Sequence, residues 1–344
     1  MSEPLLEIDG LDIRYETKDG EIHAVTDASF AIDTNEFFGL VGESGSGKST
    51  IAKSIIGGLD DNGSVTAGEI RFRGEPIHSM TERELSERIR WKEIAYIPQA
   101  SMNSLDPIMR LDKQAVELAK VHTDWSKQRA IDRLTELFEV VGLPGERIYE
   151  YPHQFSGGMQ QRAIIAFSLF LEPSLLIADE PTTALDVIMQ DQILTHLKSI
   201  QEEEDVSIVM ITHDISVIFE NCDSMAVLHG GQVSELGDVT RMFDSPSHPY
   251  SYLLQQAFPD IRHPKRDLSV IEGQPPQLQD EVDYCTFANR CPWSTDECVE
   301  SRPPLQAVGD DNQYTSCIRY DEIEELGHRS PENTRSEVGG SNHE

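Results

Sequence analysis

Positive charge is what this sequence has least of: 28 Lys+Arg stand against 61 Asp+Glu, and only nine of the 28 are lysine. The resulting net charge of -33 repels phosphate backbones and anionic lipid headgroups, which excludes autonomous binding to nucleic acid or to a membrane surface. The deficit is spread along the chain, with a net of -11 from Gly237 onward and -22 before it, unlike a separate acidic tail. A lysine-poor, carboxylate-rich surface is the one expected of a halophile, whose salty cytoplasm screens such self-repulsion. Long apolar runs are missing as well. None approaches the roughly 18 residues of a membrane span. Residues 1–10 have neither the basic region nor the apolar core of a signal peptide, so a cytoplasmic chain is expected. Cysteine is sparse, five in 344 residues, yet four of the five fall within 285–317. In a reducing compartment that points to metal or cluster ligation before disulfides. With 38% hydrophobic and 26% charged residues, collagen-like and fully disordered readings are excluded.

What is present reads as α/β. Apolar alternation at Leu6, Ile8, Leu11, Ile13 and Tyr15, and again over 21–32, predicts an antiparallel strand pair about a turn at Lys18-Asp19-Gly20. The apolar run 37–41 delivers the chain into a glycine-rich loop, and 48–56 continues as a helix. Helices are predicted over 81–91, 126–141 and 184–203, and buried parallel strands over 175–178 and 207–211. His229-Gly230-Gly231 between two apolar runs is a hairpin signal. The expected organisation is a first domain over 1–236, a proline-interrupted, loop-rich unit over 237–325, and a disordered tail over 326–344. There is no internal repeat.

Gly42-Glu43-Ser44-Gly45-Ser46-Gly47-Lys48-Ser49-Thr50 fits G-x-x-x-x-G-K-[ST], the Walker A loop. Its glycines let backbone N–H groups converge on phosphate oxygens, Lys48 adds a point charge, and the Ser49 hydroxyl can ligate Mg²⁺. The run 175–178 ends in Asp179-Glu180, where Asp179 is placed to hold Mg²⁺ and Glu180 to polarise an attacking water. Phe155-Ser156-Gly157-Gly158-Met159 opens a further helix, with Ser156 placed as its cap and two glycines allowing an anion close approach. Two phosphate-binding helix starts cannot reach one γ-phosphate within one subunit.

These segments together resemble the ATP-binding subunits of ATP-binding-cassette transporters. The resemblance implies a P-loop cassette fold with a mixed sheet core, an antiparallel β subdomain and a helical subdomain carrying the signature motif. It implies a dimer in which Ser156, Gly157 and Gly158 of one subunit close over ATP on the Walker A loop of the other. It further implies that Tyr15 stacks on adenine, Gln99 senses Mg²⁺ and the γ-phosphate beside the membrane subunit, Ala184-Leu185-Asp186 contacts the opposite subunit, and His213 is the switch histidine. Phe155 and Met159 depart from the commonest signature, while its Ser-Gly-Gly core is intact.

A narrower resemblance, over about residues 5–320, is to dipeptide/oligopeptide permease ATPases. It is carried by His153-Gln154-Phe155-Ser156-Gly157-Gly158-Met159, Thr182-Thr183-Ala184-Leu185-Asp186-Val187, Ser247-His248-Pro249-Tyr250 and Gly273-Gln274-Pro275-Pro276-Gln277-Leu278. It implies an ATPase energising import of di- or oligopeptides from the cytoplasmic face of the membrane. The implied partners are a second ATPase subunit, itself or a paralogue, two transmembrane permease subunits and, indirectly, an external solute-binding protein. Related members handle nickel, glutathione or sugars, and a non-transport cassette ATPase is the remaining alternative. Cys285, Cys291, Cys298 and Cys317 can serve Zn²⁺ or an iron–sulfur cluster. No tight C-x-x-C pair is present, and the wide spacing suits the larger object. The family resemblance implies a [4Fe–4S] cluster.

Overall fold

Phe37–Val41 forms strand β3, and all five of its residues are buried. Phe37 and Val41 enter one core while Phe38 and Leu40 enter another, as the two-residue period of a strand requires. Strands β7 (Leu175–Asp179) and β8 (Ser207–Thr212) divide in the same way. Leu176, Ala178, Ile208 and Met210 face the first core, and Leu175, Ile177, Val209 and Ile211 the second. Continuous apolar runs of this kind suit parallel strands covered on both faces.

In this computed structural model residues 3–99, 104–183, 186–257, 271–276, 278–279, 282–309 and 312–323 are described. The main sheet also contains β6 (Ile94–Ile97), β9 (Ser224–His229), β10 (Gln232–Asp238), β11 (Gln306–Val308) and β12 (Gln313–Thr315). Its order is β11-β12-β10-β9-β3-β8-β7-β6. The strands from β9 to β6 are parallel, and β10, β12 and β11 continue the sheet antiparallel. Although β3 comes first of these in the chain, it lies between β8 and β9.

A second sheet, all antiparallel, has the order β2-β1-β4-β5, from β1 (Leu6–Thr17), β2 (Gly20–Ile32), β4 (Gly63–Phe72) and β5 (Glu75–Pro76). The apolar alternation of β1 skips between Ile8 and Leu11 because the register shifts there. Gly10 takes the left-handed φ of 56° at that irregularity. The apolar side of this sheet covers one face of the main sheet, and the Phe30 and Phe38 rings stack at 5.2 Å across the seam. Helix α1 (Lys48–Ile55) packs in the same core.

The other face carries α3 (Leu111–His122), α4 (Lys127–Val140), α5 (Gly157–Ser168), α6 (Val187–Glu203) and α7 (Ile215–Asn221). Helix α7 lies so close to β3 that a Cβ on Gly39 would sit 2.5 Å from Ile218 Cγ2. Two expected helices are trimmed. The one expected over 81–91 begins at the capping box of Thr81 and Glu84, runs as α2 (Glu82–Glu84), and passes into a wider π turn over Leu85–Ile89. The one expected over 184–203 begins at Val187, because the Asp186 carboxylate accepts the Met189 N–H at 3.0 Å and so makes Asp186 the N-cap.

Beyond Gly237 come α8 (Val239–Asp244), α9 (Pro249–Gln256) and α10 (Glu297–Glu300). Strand β12 pairs with β10 through Leu236 and Tyr314, so this part of the chain extends the main sheet. Residues 326–344, Ala184, Leu185 and Gln277 lie outside the described residues. Among the described residues no helix is long and apolar enough to cross a membrane.

Candidate nucleotide site

The loop from Gly42 to Gly47 leaves the end of β3 and opens α1. It passes so close to β9 that a Cβ on Gly42 would meet the Leu228 carbonyl oxygen at 2.1 Å, and Gly47 caps the helix at a φ of 102°. Ser44 and Gly45 are exposed at the tip, Ser46 is buried, and Thr50 lies in the first turn of α1. The Lys48 ammonium is buried and donates to the carbonyls of Gly42 at 2.7 Å and Glu43 at 2.8 Å. Burial lowers its pKa, opposed by the charges of Glu180, Asp179 and Glu43. A cation tethered only to its own loop's acceptors can exchange them for phosphate oxygens. Ser49 Oγ donates to Asp179 Oδ1 at 3.1 Å, and Tyr96 Oη donates to Asp179 Oδ2 at 3.0 Å. Burial raises the Asp179 pKa against the lowering effect of both bonds.

One residue further the backbone turns sharply, with Glu180 at a φ of 48° and its N–H on the Ile211 carbonyl. Its carboxylate is surrounded by donors. Gln99 Nε2 reaches Oε2 at 2.7 Å, Thr183 Oγ1 reaches the same oxygen at 2.9 Å, and His213 Nδ1 lies 3.1 Å from Oε1. Burial raises the Glu180 pKa, but the bonds from His213, Thr183 and Gln99 outweigh it, and the net shift is downward. The carboxylate is therefore ionised at neutral pH, the state a proton acceptor needs. Lys48, Ser49, Gln99, Asp179, Glu180 and His213 thus converge at the carboxyl ends of β3, β6, β7 and β8. Tyr96, an ordinary aromatic of β6, joins them without any sequence signal of its own, and Thr183, part of a resembling segment that assigned it no role, joins them from the loop after β7.

Other expected residues stand apart. Ser156 occupies the N-cap position of α5, but its side chain makes no capping bond, so the first-turn N–H groups are left without that partner. Among the described residues no hydrogen bond or ion pair joins 156–158 to the Walker A loop. Tyr15 is half-buried on β1 against Gly63, where an added Cβ would meet its ring at 2.6 Å.

Cys285, Cys291, Cys298 and Cys317 are free thiols that line one small enclosed cavity with Phe287 and Trp293. Backbone N–H groups meet three of the sulfurs: Phe287 and Ala288 on Cys285, Trp293 on Cys291, and Arg319 on Cys317. Burial raises all three of these thiols, Cys291 and Cys317 to about 12. Among the described residues no group of three or more His, Cys, Asp or Glu side chains is arranged to hold a metal ion. Cys222, outside the group, packs against the main core.

A glycine loop between β3 and α1, paired acids closing β7 and a histidine closing β8 define a P-loop ATPase of the cassette type. The family described as ABC transporter matches residues 25–183, and that described as Oligopeptide/dipeptide transporter, C-terminal region, matches 234–298. The oligopeptide transport ATP-binding protein OppD of Haemophilus influenzae is 40% identical over 297 residues, 86% of this chain and 91% of that protein. OppD of Salmonella typhimurium is 41% identical over 324 residues, 94% of this chain and 95% of its own. The dipeptide transport ATP-binding protein DppD of Escherichia coli is 38% identical over 311 residues, 90% and 95% of the two chains. Among solved structures, a dimeric ATP-binding cassette in a post-hydrolysis state, bound to ADP and Pi, aligns with a TM-score of 0.58 at 28% identity, over 68% of this chain and 98% of that one. The chain belongs to the ABC transporter ATP-binding proteins, in the group of the oligopeptide and dipeptide transport ATPases.

Proposed function

We propose that this chain is the ATP-hydrolysing subunit that energises import of di- or oligopeptides through a membrane complex, acting at the cytoplasmic face. The observation that carries the chemistry is the Glu180 carboxylate, ionised and ringed by Gln99, Thr183 and His213, one residue beyond the acid that meets Ser49. In this reading the Walker A N–H groups and Lys48 bind the β- and γ-phosphates, and Tyr15 stacks on adenine. Ser49, Asp179 and Gln99 hold Mg²⁺, which when bound neutralises charge on the transferred phosphoryl group. Glu180 orients the attacking water and accepts its proton, and His213 hydrogen-bonds the γ-phosphate. The open first turn of α5 supports a role for Ser156, Gly157 and Gly158 on the nucleotide of a second subunit, a copy or a paralogue. Two permease subunits and an external solute-binding protein complete the assembly. Co-purification of that assembly, with mass spectrometry of the bound solute and peptide-stimulated ATP hydrolysis as readouts, tests the assignment. A complex that carries and responds to nickel, glutathione or a sugar, and not to peptides, overturns the peptide reading.

The extension over 237–325 is proposed as a unit built on the cassette of 1–236 and ordered around a [4Fe–4S] cluster held by Cys285, Cys291, Cys298 and Cys317. Four sulfurs about one small cavity support a site for a group that binds thiolates. The wide cysteine spacing, with no tight C-x-x-C pair, favours the larger cluster over Zn²⁺. Its role is structural, since phosphoryl transfer moves no electrons. Anaerobic purification should give a brown protein with iron and acid-labile sulfide near about four each per chain. Colourless protein with one zinc and no iron after anaerobic reconstitution assigns the site to zinc. The acidic surface is proposed as an adaptation to high salt.

A further inference from the structure

The Walker A pattern leaves its second position free, and here that position is Glu43. Every polar group of Glu43 is engaged. Its N–H donates to Tyr250 Oη at 3.0 Å, and its carbonyl accepts Lys48 Nζ at 2.8 Å. Its carboxylate takes a two-pronged bond from Arg290, with Nη1 at 2.5 Å from Oε2 and Nη2 at 2.8 Å from Oε1. Two of these three partners, Tyr250 and Arg290, come from the part of the chain beyond Gly237.

The Arg290 guanidinium is itself fixed from all sides. Its side chain is 6% exposed, against 26% for Glu43. Nε donates to the Glu272 carbonyl at 3.1 Å, and Nη1 also faces His229 Nε2 at 3.1 Å. Arginine only donates, so His229 Nε2 is the acceptor and the imidazole proton lies on Nδ1. That proton goes to Thr286 Oγ1 at 2.9 Å, and the threonine hydroxyl passes its own to the His229 carbonyl at 3.0 Å. Burial, aided by the Arg290 charge, lowers the His229 pKa to about 3, so the ring is a neutral acceptor throughout the ordinary pH range. The rings of His229, Tyr250 and Phe287 pack about this network with centroids 4.7 to 5.2 Å apart. A planar fork held by two bonds against a carboxylate transmits position far better than a flexible ammonium.

We propose that Arg290 is a positioning residue for ATP binding: through its fork on Glu43 it holds the first half of the Walker A loop in its phosphate-accepting shape. The segment beyond Gly237 thereby sets the nucleotide affinity of the cassette. Arg290 touches no nucleotide in this account, which rests on the ATP-binding reading above. The hairpin between β9 and β10 assists, because the Gly231 N–H donates to the Ser46 carbonyl at 3.1 Å in the middle of the same loop.

The test uses the full chain and Mg-ATP, with Arg290→Ala, Glu43→Gln and the double variant. Dissociation constants are taken from titration calorimetry, and KM and kcat from steady-state hydrolysis. Arg290→Ala should weaken Mg-ATP binding and raise KM by about tenfold or more with kcat nearly unchanged, the pattern of a lost binding contribution without lost transition-state stabilisation. The double variant should bind no worse than Arg290→Ala alone, because both changes break one interaction. Should Arg290→Ala fail to fold, Arg290→Lys, which keeps the charge and loses the fork, must still raise KM. A folded Arg290→Ala with wild-type affinity and KM overturns the proposal, as do single effects that multiply in the double variant. A wild-type chain that binds no Mg-ATP defeats the ATP-binding reading instead, so the two failures are distinct.

Discussion

Glu180 and Asp179 are adjacent in sequence and opposite in environment. Asp179 is raised by burial, while Glu180 is raised by burial less than it is lowered by its donors. A carboxylate ionised and aimed at the site is a base, and its amide is not, so Glu180→Gln should retain Mg-ATP binding and lose turnover by about 10²–10⁴-fold. Wild-type hydrolysis in that variant, with binding intact, removes Glu180 from the base role. Tyr96 acts one step away by tethering the outer oxygen of Asp179. Tyr96→Phe keeps the ring and drops that bond, and the Mg²⁺ concentration for half-maximal hydrolysis should rise about tenfold. An unchanged Mg²⁺ requirement refutes the tether. At this scale the sequence was readable where spacing itself is chemistry: Lys48 and Ser49 after a glycine loop, two acids closing an apolar run. Tyr96 and Arg290 were not readable, because each matters through a partner 83 or 247 positions away that only the fold brings near.

Among the elements, strands buried on both faces and helices with clear caps were legible, since their patterns are local. Strand β4 and helix α3 gave no such signal. β4 begins with four residues that are exposed or only half-buried, and α3 has Arg110 at its N-cap position, where it makes no side-chain capping bond. Helix α9 shows how a cap can titrate. His248 Nδ1 accepts the Tyr250 N–H at 3.0 Å, so the ring must be neutral there, and burial with the nearby His229 lowers its pKa to about 3. A pKa depressed on folding gives stability that is complete above about 6.5 and is lost as pH falls toward 3. At pH 5 the loss from this one buried histidine is about 2 kcal/mol. Glu235 beneath it, raised by burial to about 7, has the opposite sign and weakens the fold as pH rises from about 4.5 through 7. His248→Asn retains an acceptor at the cap without the titration and leaves Glu235 in place. Its urea midpoint should therefore fall less steeply than wild type between pH 6.5 and 5. Parallel slopes mean that His248 does not titrate as described.

For the whole molecule, 61 acids against 28 bases leave a net charge of -33. Exposed ion pairs such as Arg83–Glu87 and Lys120–Glu117 contribute about 0–1 kcal/mol each. Screening thus relieves more repulsion than it removes attraction. Thermal unfolding should move upward as KCl rises to molar concentration, where the Debye length is roughly 3 Å. A chain most stable and most active in dilute buffer contradicts the high-salt reading. The α/β class was legible from apolar runs and loop chemistry. The joining of β12 to β10 was not, because β12 is only three residues long and Tyr314 lies 78 positions beyond Leu236. The place of β3 between β8 and β9 has a consequence in the order of biosynthesis. Asn35, two residues before that strand, is tied to Ser207, 172 residues later. At about 5–20 residues per second, the emerging amino-terminal segment waits roughly 9–35 s on the ribosome for its flanking neighbours. During that time its two apolar faces are without their native cover, so the growing chain is most open to aggregation before its nucleotide site exists.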